Sequence, residues 1–395
     1  MNKLGPTDPG AMPPVLWALM FGNFVIGTGV MVVPGTLNDI SASLNVSVPV
    51  AGQLISVAAL LMCLGAPLLV AVVSGLDRRR LLALTMLWYG ALHLLSATMP
   101  TFGSLMAVRV LTVISPAIFT PQAAACIGFL VPPHQRSKAI SLVFLGWSVA
   151  SVLGMPLGSW IGGTMGWRYA FSAVGLLAFF SAAWLWRAMP DGVKPPAFSL
   201  VTWRETLQSK PLMLCVAVTV LYSAGQFVLY SYFAPYYKAN FNVTPTQLSL
   251  MFAWFGAFGF VGNLWVSRNI ERLGASRTVF LAVASMALSL ALWPLGSSLM
   301  LTALVLVPWA LGCFSANSAQ QARLSGIAPT LTSGSIALNT SAMYAGQGAG
   351  AASGGWLIAH GQMSMLHWAG LAGLLLALWV SWLASRAYAR LRHPA

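Results

Sequence analysis

The chain is a series of apolar runs, each about twenty residues long, separated by breaks too short to hold a domain of their own. A bilayer's hydrocarbon core is about 30 Å thick and takes roughly 20 apolar residues of helix to cross. Inside it every backbone N–H and C=O must bond internally, so runs of this length define helical spans. Twelve spans are expected, near 15–37, 50–73, 81–99, 103–128, 138–161, 168–187, 211–233, 247–267, 277–295, 300–325, 332–357 and 364–385. Turn and breaker residues mark the divisions, among them Asn38-Asp39, Met99-Pro100, Pro132-Pro133, Gly296-Ser297 and His360-Gly361.

Composition agrees. Only 7% of the 395 residues are charged and 58% are hydrophobic, whereas a soluble protein carries about 25% charged residues. A soluble enzyme, a coiled coil and a disordered chain are thereby excluded. The formal net charge of +14 needs an explanation. Nucleic-acid binding would require a basic face on a folded soluble module, but here the cations lie in short clusters between apolar runs. With the N-terminus inside, 17 of the 20 basic residues fall in alternate, cytoplasmic segments, including Arg78–Arg80, Arg136 and Lys138, Arg323, and Arg386, Arg390 and Arg392. Outside loops hold only Arg168 and Lys238, and Arg109 lies within a span. This bias places both termini in the cytoplasm. Lys3, a Pro/Gly-rich stretch and an apolar run too long for a signal-peptide core predict that the first span stays in the mature protein. Cys63, Cys126, Cys215 and Cys313 all sit in apolar runs without a CxxC pair, so neither a disulfide framework nor a metal site is implied.

The longest hydrophilic interval, 188–210, divides the chain into an N-terminal half, 1–187, and a C-terminal half, 211–395, joined by a cytoplasmic linker. Gly154-Met-Pro-Leu-Gly158 in span five corresponds to Gly348-Ala-Gly-Ala-Ala352 in span eleven, and Asp77-Arg78 corresponds to Glu271-Arg272. Both offsets are 194 residues. The expected fold is an all-α membrane protein, twelve transmembrane helices in two pseudo-repeated six-helix bundles. In such architectures a ligand sits near midplane between halves that rock around it.

Arg109 is the deepest cation. A charge inside a span costs several kcal/mol and faces the bundle interior or water when present. Its candidate partner is Asp39, at the outer end of span one, and the two are the candidate proton-coupling pair. The other acids, Asp8, Asp77, Asp191, Glu205 and Glu271, also avoid every midplane. His93 in span three reads as a packing histidine bonded to a carbonyl. Tyr222, Gln226 and Tyr230, at i, i+4 and i+8, share one helical face. With Asn23, Gln122, Asn317, Gln320 and Asn339 they form a candidate substrate cavity. Gly154, Pro156 and Gly158 make a kinked, small-residue face, echoed by Gly346, Gly350 and Gly354 at four-residue spacing, suited to close helix packing and bending. There is no HExxH pair, no midplane acid pair and no P-loop, so neither an intramembrane enzyme nor an ATP-driven pump is expected, and no cofactor or metal.

Leu153-Gly-Met-Pro-Leu-Gly158 followed by Gly166-Trp-Arg-Tyr-Ala-Phe171 resembles the fifth-span signature of the drug- and sugar-efflux branch of the major facilitator superfamily, which includes arabinose-efflux-type permeases. Ala51-Gly52-Gln53, Gly65-Ala-Pro67, Arg109-Val-Leu111 and Ala337-Leu-Asn339 add to the resemblance. It implies a multi-pass protein of a bacterial inner membrane, working as a monomer and exporting small organic molecules, drug, sugar-like or metabolite, in antiport with protons. A proton-symporting importer of the same fold is the alternative. It also implies a cytoplasmic gate at Asp77, Arg78, Arg79, Arg80, Glu271 and Arg272. In two places the sequence departs from the branch: the acid often found in span one is replaced by Val30 or Met31, and the loop after span two reads Ser74-Gly-Leu-Asp-Arg-Arg-Arg80. With no midplane carboxylate to pair an organic cation, the expected cargo is neutral or anionic.

Overall fold

The computed structural model describes residues 13–73, 75–132, 135–194, 206–328 and 332–392, all helix, turn or loop without a strand. The 195–205 part of the linker, Lys3, Asp8, Arg204 and Glu205 lie outside them. The helices follow the apolar runs: Pro14–Gly35, Val48–Val73, Arg78–Thr98, Phe102–Thr112 with Ile114–Leu130, Arg136–Val149 continuing to Met165, and Trp167–Ala188. The second set is Lys210–Tyr230 with Phe233–Phe241, Pro245–Leu273, Ala275–Leu292, Leu299–Ile327, Thr332–Ala359 and Leu366–Arg392.

Among the described residues eleven helices are apolar and long enough to cross a membrane. The twelfth, span eleven, Thr332–Ala359, has 28 residues, about 42 Å at 1.5 Å each, and is long enough by geometry. Its Asn339, Thr340, Ser341 and Gln347 lower its hydropathy. It can carry them because it packs between spans seven and two, with Asn339, Ser341 and Gln347 buried.

Two breaks have a chemical cause. Span four is interrupted at Val113, because Pro116 has no N–H for the Thr112 carbonyl and its ring crowds that group. Span five widens into a π turn, Ala150–Gly154, where Pro156 likewise cannot donate to Val152.

In each half the first, fourth and fifth helices are pinned by one amide. Asn23 Nδ2 donates to Val143 O (3.1 Å), and Thr120 Oγ1 donates to Asn23 Oδ1 (2.8 Å), joining spans one, four and five. Thr219 Oγ1 donates to Asn339 Oδ1 (2.6 Å), and Asn339 Nδ2 donates to Asn317 Oδ1 (3.1 Å), joining spans seven, ten and eleven. The halves thus repeat a three-helix knot with different residues. The repeat is looser residue by residue than a 194-residue offset suggests. Gly154 abuts Thr28 of span one, whereas Gly348 faces Ser56 of span two; it is Gly346, Gly350 and Gly354 that seat on Val220, Ala224 and Val228 of span seven. Asp77 caps span three, whereas Glu271 lies exposed in the last turn of span eight.

The halves meet near the end where span one finishes, the outer end in the orientation expected above. Ser249 Oγ of span eight donates to Pro156 O of span five (2.9 Å), and Tyr230 OH of span seven to Met155 Sδ (3.2 Å). Gly256 lies on the Ser151 backbone, and the Tyr232 ring wedges between Gly52 of span two and Gly355 of span eleven.

Candidate functional site

Arg109 sits in the last turn of Phe102–Thr112, just before the Pro116-induced break, and is only 5% exposed. Its Nη1 donates to Gly29 O of span one at 3.3 Å, and its Nε finds no partner. Gly29 matters because span three lies directly on it: an added Cβ would stand 2.8 Å from His93 Nε2 and closer still to Tyr89 OH. Tyr89 OH donates to Ile26 O (3.2 Å). His93 Nδ1 lies 2.9 Å from Tyr89 O; a carbonyl can only accept, so Nδ1 carries the proton. The other ring nitrogen, Nε2, is buried against Gly29.

Arg109 and Gln347 line one small cavity with Val30 and the span-two residues Ile55, Ala58 and Met62, about 10 Å³ in volume. This is close to the smallest space that holds one water. It brings a cation of one half and an amide of the other onto a common polar point.

The structure does not bring Asp39 and Arg109 together. The one ion pair among the described residues is Arg79–Asp191, at 2.7 Å, between the start of span three and the segment after span six. Asp39 lies beyond the end of span one, in Leu37–Ser43, half-buried beside Gly162 and within electrostatic reach of Lys238 from the opposite half. Burial raises its carboxyl pKa, against the opposing pulls of its own backbone hydrogen bond and of Lys238. Arg109 is served by a backbone carbonyl instead, an acceptor that side-chain spacing in a sequence cannot reveal.

The candidate cavity residues divide. Asn23 and Asn339 are fully buried and committed to the knots described above, and Gln320 Nε2 donates to Cys215 O (2.5 Å). Gln122 and Tyr222 are buried. Gln226 accepts from Trp309 Nε1 (3.5 Å), and Tyr230 reaches across to Met155. Asn317 is half-buried.

The basic run after span two has three distinct fates. Arg78 is buried and donates to Val73 O (3.0 Å) and Leu76 O (2.7 Å). Arg79 donates to Trp186 O (2.7 Å), pairs with Asp191 and covers the Trp186 ring at 4.9 Å. Arg80 is exposed. Asp77 accepts from Arg80 N (3.2 Å) and Gly192 N (2.6 Å), so the run ties span three to the end of span six within one half. Glu271 and Arg272 are exposed, with no side-chain bond to this run.

Arg323, counted above among the cytoplasmic cations, is instead 3% exposed within the helix Leu299–Ile327. It donates to Ser381 Oγ (3.0 Å), Ser381 O (3.0 Å) and Ser385 Oγ (2.9 Å) of span twelve. Those serines, four apart on one helical face, were the available signal in the sequence.

Two helical bundles closed against each other at one end, with a water-sized, mainly apolar cavity that holds one cation and one amide where they meet, define a polytopic carrier. Residues 19–330 match the Major Facilitator Superfamily, and the chain belongs to that family. It is 29% identical over 88% of its length to the inner membrane transport protein YdhP of Escherichia coli (strain K12), covering 89% of that protein. It is 26% identical over 90% of its length to a protein of Helicobacter pylori (strain G27) named probable sugar efflux transporter, covering 92% of it. Its fold superposes with a TM-score of 0.76 on an inward-facing, unoccupied bacterial homolog of the human lysosomal transporter Spinster. That match is 17% identical and covers 96% of this chain and 99% of that one. The chain is a multi-pass membrane transporter of the secondary type and not an enzyme.

Proposed function

We propose that this transporter exports small neutral or anionic organic molecules, sugar-like compounds, weak-acid metabolites or uncharged drugs, by alternating access in exchange for protons. The observation that carries the reading is Arg109. It is a buried cation with one long hydrogen bond to a carbonyl, beside a cavity shared by both halves. A substrate carboxylate or hydroxyl gives such a cation what the chain does not, whereas a permanently charged cation would meet repulsion and no pairing acid. The name of the Helicobacter pylori relative supports export of sugar-like cargo.

The units that move are 1–187 and 211–395, joined by 188–210, with both termini on the cytoplasmic side of a bacterial inner membrane and the monomer as the working unit. In this orientation the described cross-half contacts lie toward the outer face, which suits a state open to the cytoplasm. Asp77 with Arg78–Arg80, and Glu271 with Arg272, then mark the inner rims that meet when the carrier turns over. Protons are exchanged through Asp39, with Arg109 setting the charge balance at the cavity from a separate position.

Proteoliposomes with an imposed pH gradient test this. Sugars and weak acids should move against the proton flow, and lipophilic permanent cations should not. Permanent cations as the best cargo would refute the reading.

A further inference from the structure

A second feature lies on the N-terminal half, starting at the Asp77–Arg80 run and extending along spans three and four. Between spans three and four runs an open groove of about 610 Å³. Leu84 and Trp88, 59% and 45% exposed, form one wall, and Ile114 and Ile118 form the other. From Arg80 to Trp88 the helix rises about 12 Å, so the groove reaches from the membrane surface well into a half-bilayer.

Its mouth is positive. Arg80 enters from the first turn of span three and Lys194 from the segment after span six; both are exposed and both line the groove. The neighbouring cations are engaged elsewhere, Arg78 on carbonyls and Arg79 on Asp191. The one acid at the mouth, Asp77, already accepts the backbone N–H groups of Arg80 and Gly192. An apolar trough opening to the hydrocarbon, with two cations at headgroup level, matches one ligand chemistry: a phosphate diester attached to acyl chains. A soluble phosphate would gain nothing from a 12 Å apolar floor, and a neutral lipid would gain nothing from the cations.

We infer that this groove binds one anionic glycerophospholipid of the cytoplasmic leaflet, its phosphate between Arg80 and Lys194 and an acyl chain along Leu84 and Trp88. The inference shares with the proposed function the orientation in the membrane and the Asp77–Arg80 run, and it holds whatever the cargo is.

Native mass spectrometry of the full-length protein, supplied with equimolar phosphatidylglycerol and phosphatidylethanolamine, tests it. Wild type should retain one phosphatidylglycerol in preference to phosphatidylethanolamine. A juxtamembrane cation strengthens anionic-lipid binding about fivefold, so Arg80→Gln with Lys194→Gln should lower retention at least tenfold. Both side chains are exposed, so the melting temperature should stay unchanged. Leu84→Trp, at an exposed position, fills the trough while leaving both cations, and should lower retention as well. Equal retention of the two lipids by wild type, undiminished phosphatidylglycerol in the double variant or in Leu84→Trp, or displacement of the lipid by millimolar inorganic phosphate would each overturn the inference.

Discussion

Three arginines lie buried among the described residues, Arg78 at a helix start and Arg109 and Arg323 inside spans, and the two inside spans are served very differently. Arg323, near the C-terminal end of span ten, donates three hydrogen bonds of 2.9–3.0 Å to Ser381 and Ser385. Arg109, in the first part of span four, donates one of 3.3 Å to Gly29 and adjoins a water-sized cavity between the halves. Both bear the desolvation cost of a cation in a membrane bundle. At Arg323 three bonds offset most of it, although its Nε, like that of Arg109, has no partner, and they make that residue a rivet between spans ten and twelve. At Arg109 the offset is incomplete, which leaves an unfilled demand for a hydrogen-bond acceptor where the halves meet.

The contrast can be broken by mutation. Arg323→Ala removes three charge-assisted bonds and leaves a cavity, so stability should fall by about 3 kcal/mol, read as a lower melting temperature in detergent. If Arg323→Ala melts like wild type, the rivet is fictitious.

A smaller loss is expected at the glycine stripe. Gly350→Val would drive a side chain into the Ala224 carbonyl of span seven, and overpacking of this kind costs about 1–3 kcal/mol. Gly103→Ala, with no atom within 4 Å of its added Cβ, is the matched control. Equal behaviour of the two would show that spans seven and eleven do not need their close approach.

Asp77→Asn keeps a competent cap but cannot accept at both positions, so losing the bond from Gly192 N should cost about 1 kcal/mol, with the protein still reaching the membrane and turning over several-fold more slowly. Unchanged flux would move the inner-rim role onto the arginines alone.

The mildest change concerns pH. Burial raises the Asp39 pKa in this state, so its carboxyl holds a proton more tightly here than a free carboxyl does. The state therefore gains stability as pH falls and loses it as pH rises through the raised value. Asp39→Asn mimics the protonated carboxyl, so proton-driven flux should lose most of its pH dependence. A full pH profile in that variant would remove Asp39 from the coupling scheme.

The helical layout was legible because membrane crossing imposes a length and a polarity on each run. Span eleven, Thr332–Ala359, shows where the apolar signal weakens: an interior helix can carry Asn339 and Gln347 and read as marginal. The site was harder to read. Arg109 stood out as a charge in an apolar run, but its acceptor is a backbone carbonyl exposed by the small residue Gly29, and its neighbours Tyr89 and His93 come from a helix whose facing sequence spacing alone does not fix. Asp39 was the nearest available acid in the sequence, yet the fold sets it beyond the end of span one, opposite Lys238. Arg323 looked like a loop cation because it stands at a span's end; Ser381 and Ser385, four apart on the last helix, were the clue that it is held inside.

The central claim is that Arg109 is positioned for transport and not for holding the fold. Its most direct test measures, on one preparation of Arg109→Ala, both the melting temperature and the pH-gradient-driven flux of a weak-acid or sugar-like cargo. Melting within about 1 kcal/mol of wild type, with flux reduced at least a hundredfold, is the expected result. A melting loss as large as that of Arg323→Ala, or flux that persists at the wild-type rate per folded molecule, would contradict it.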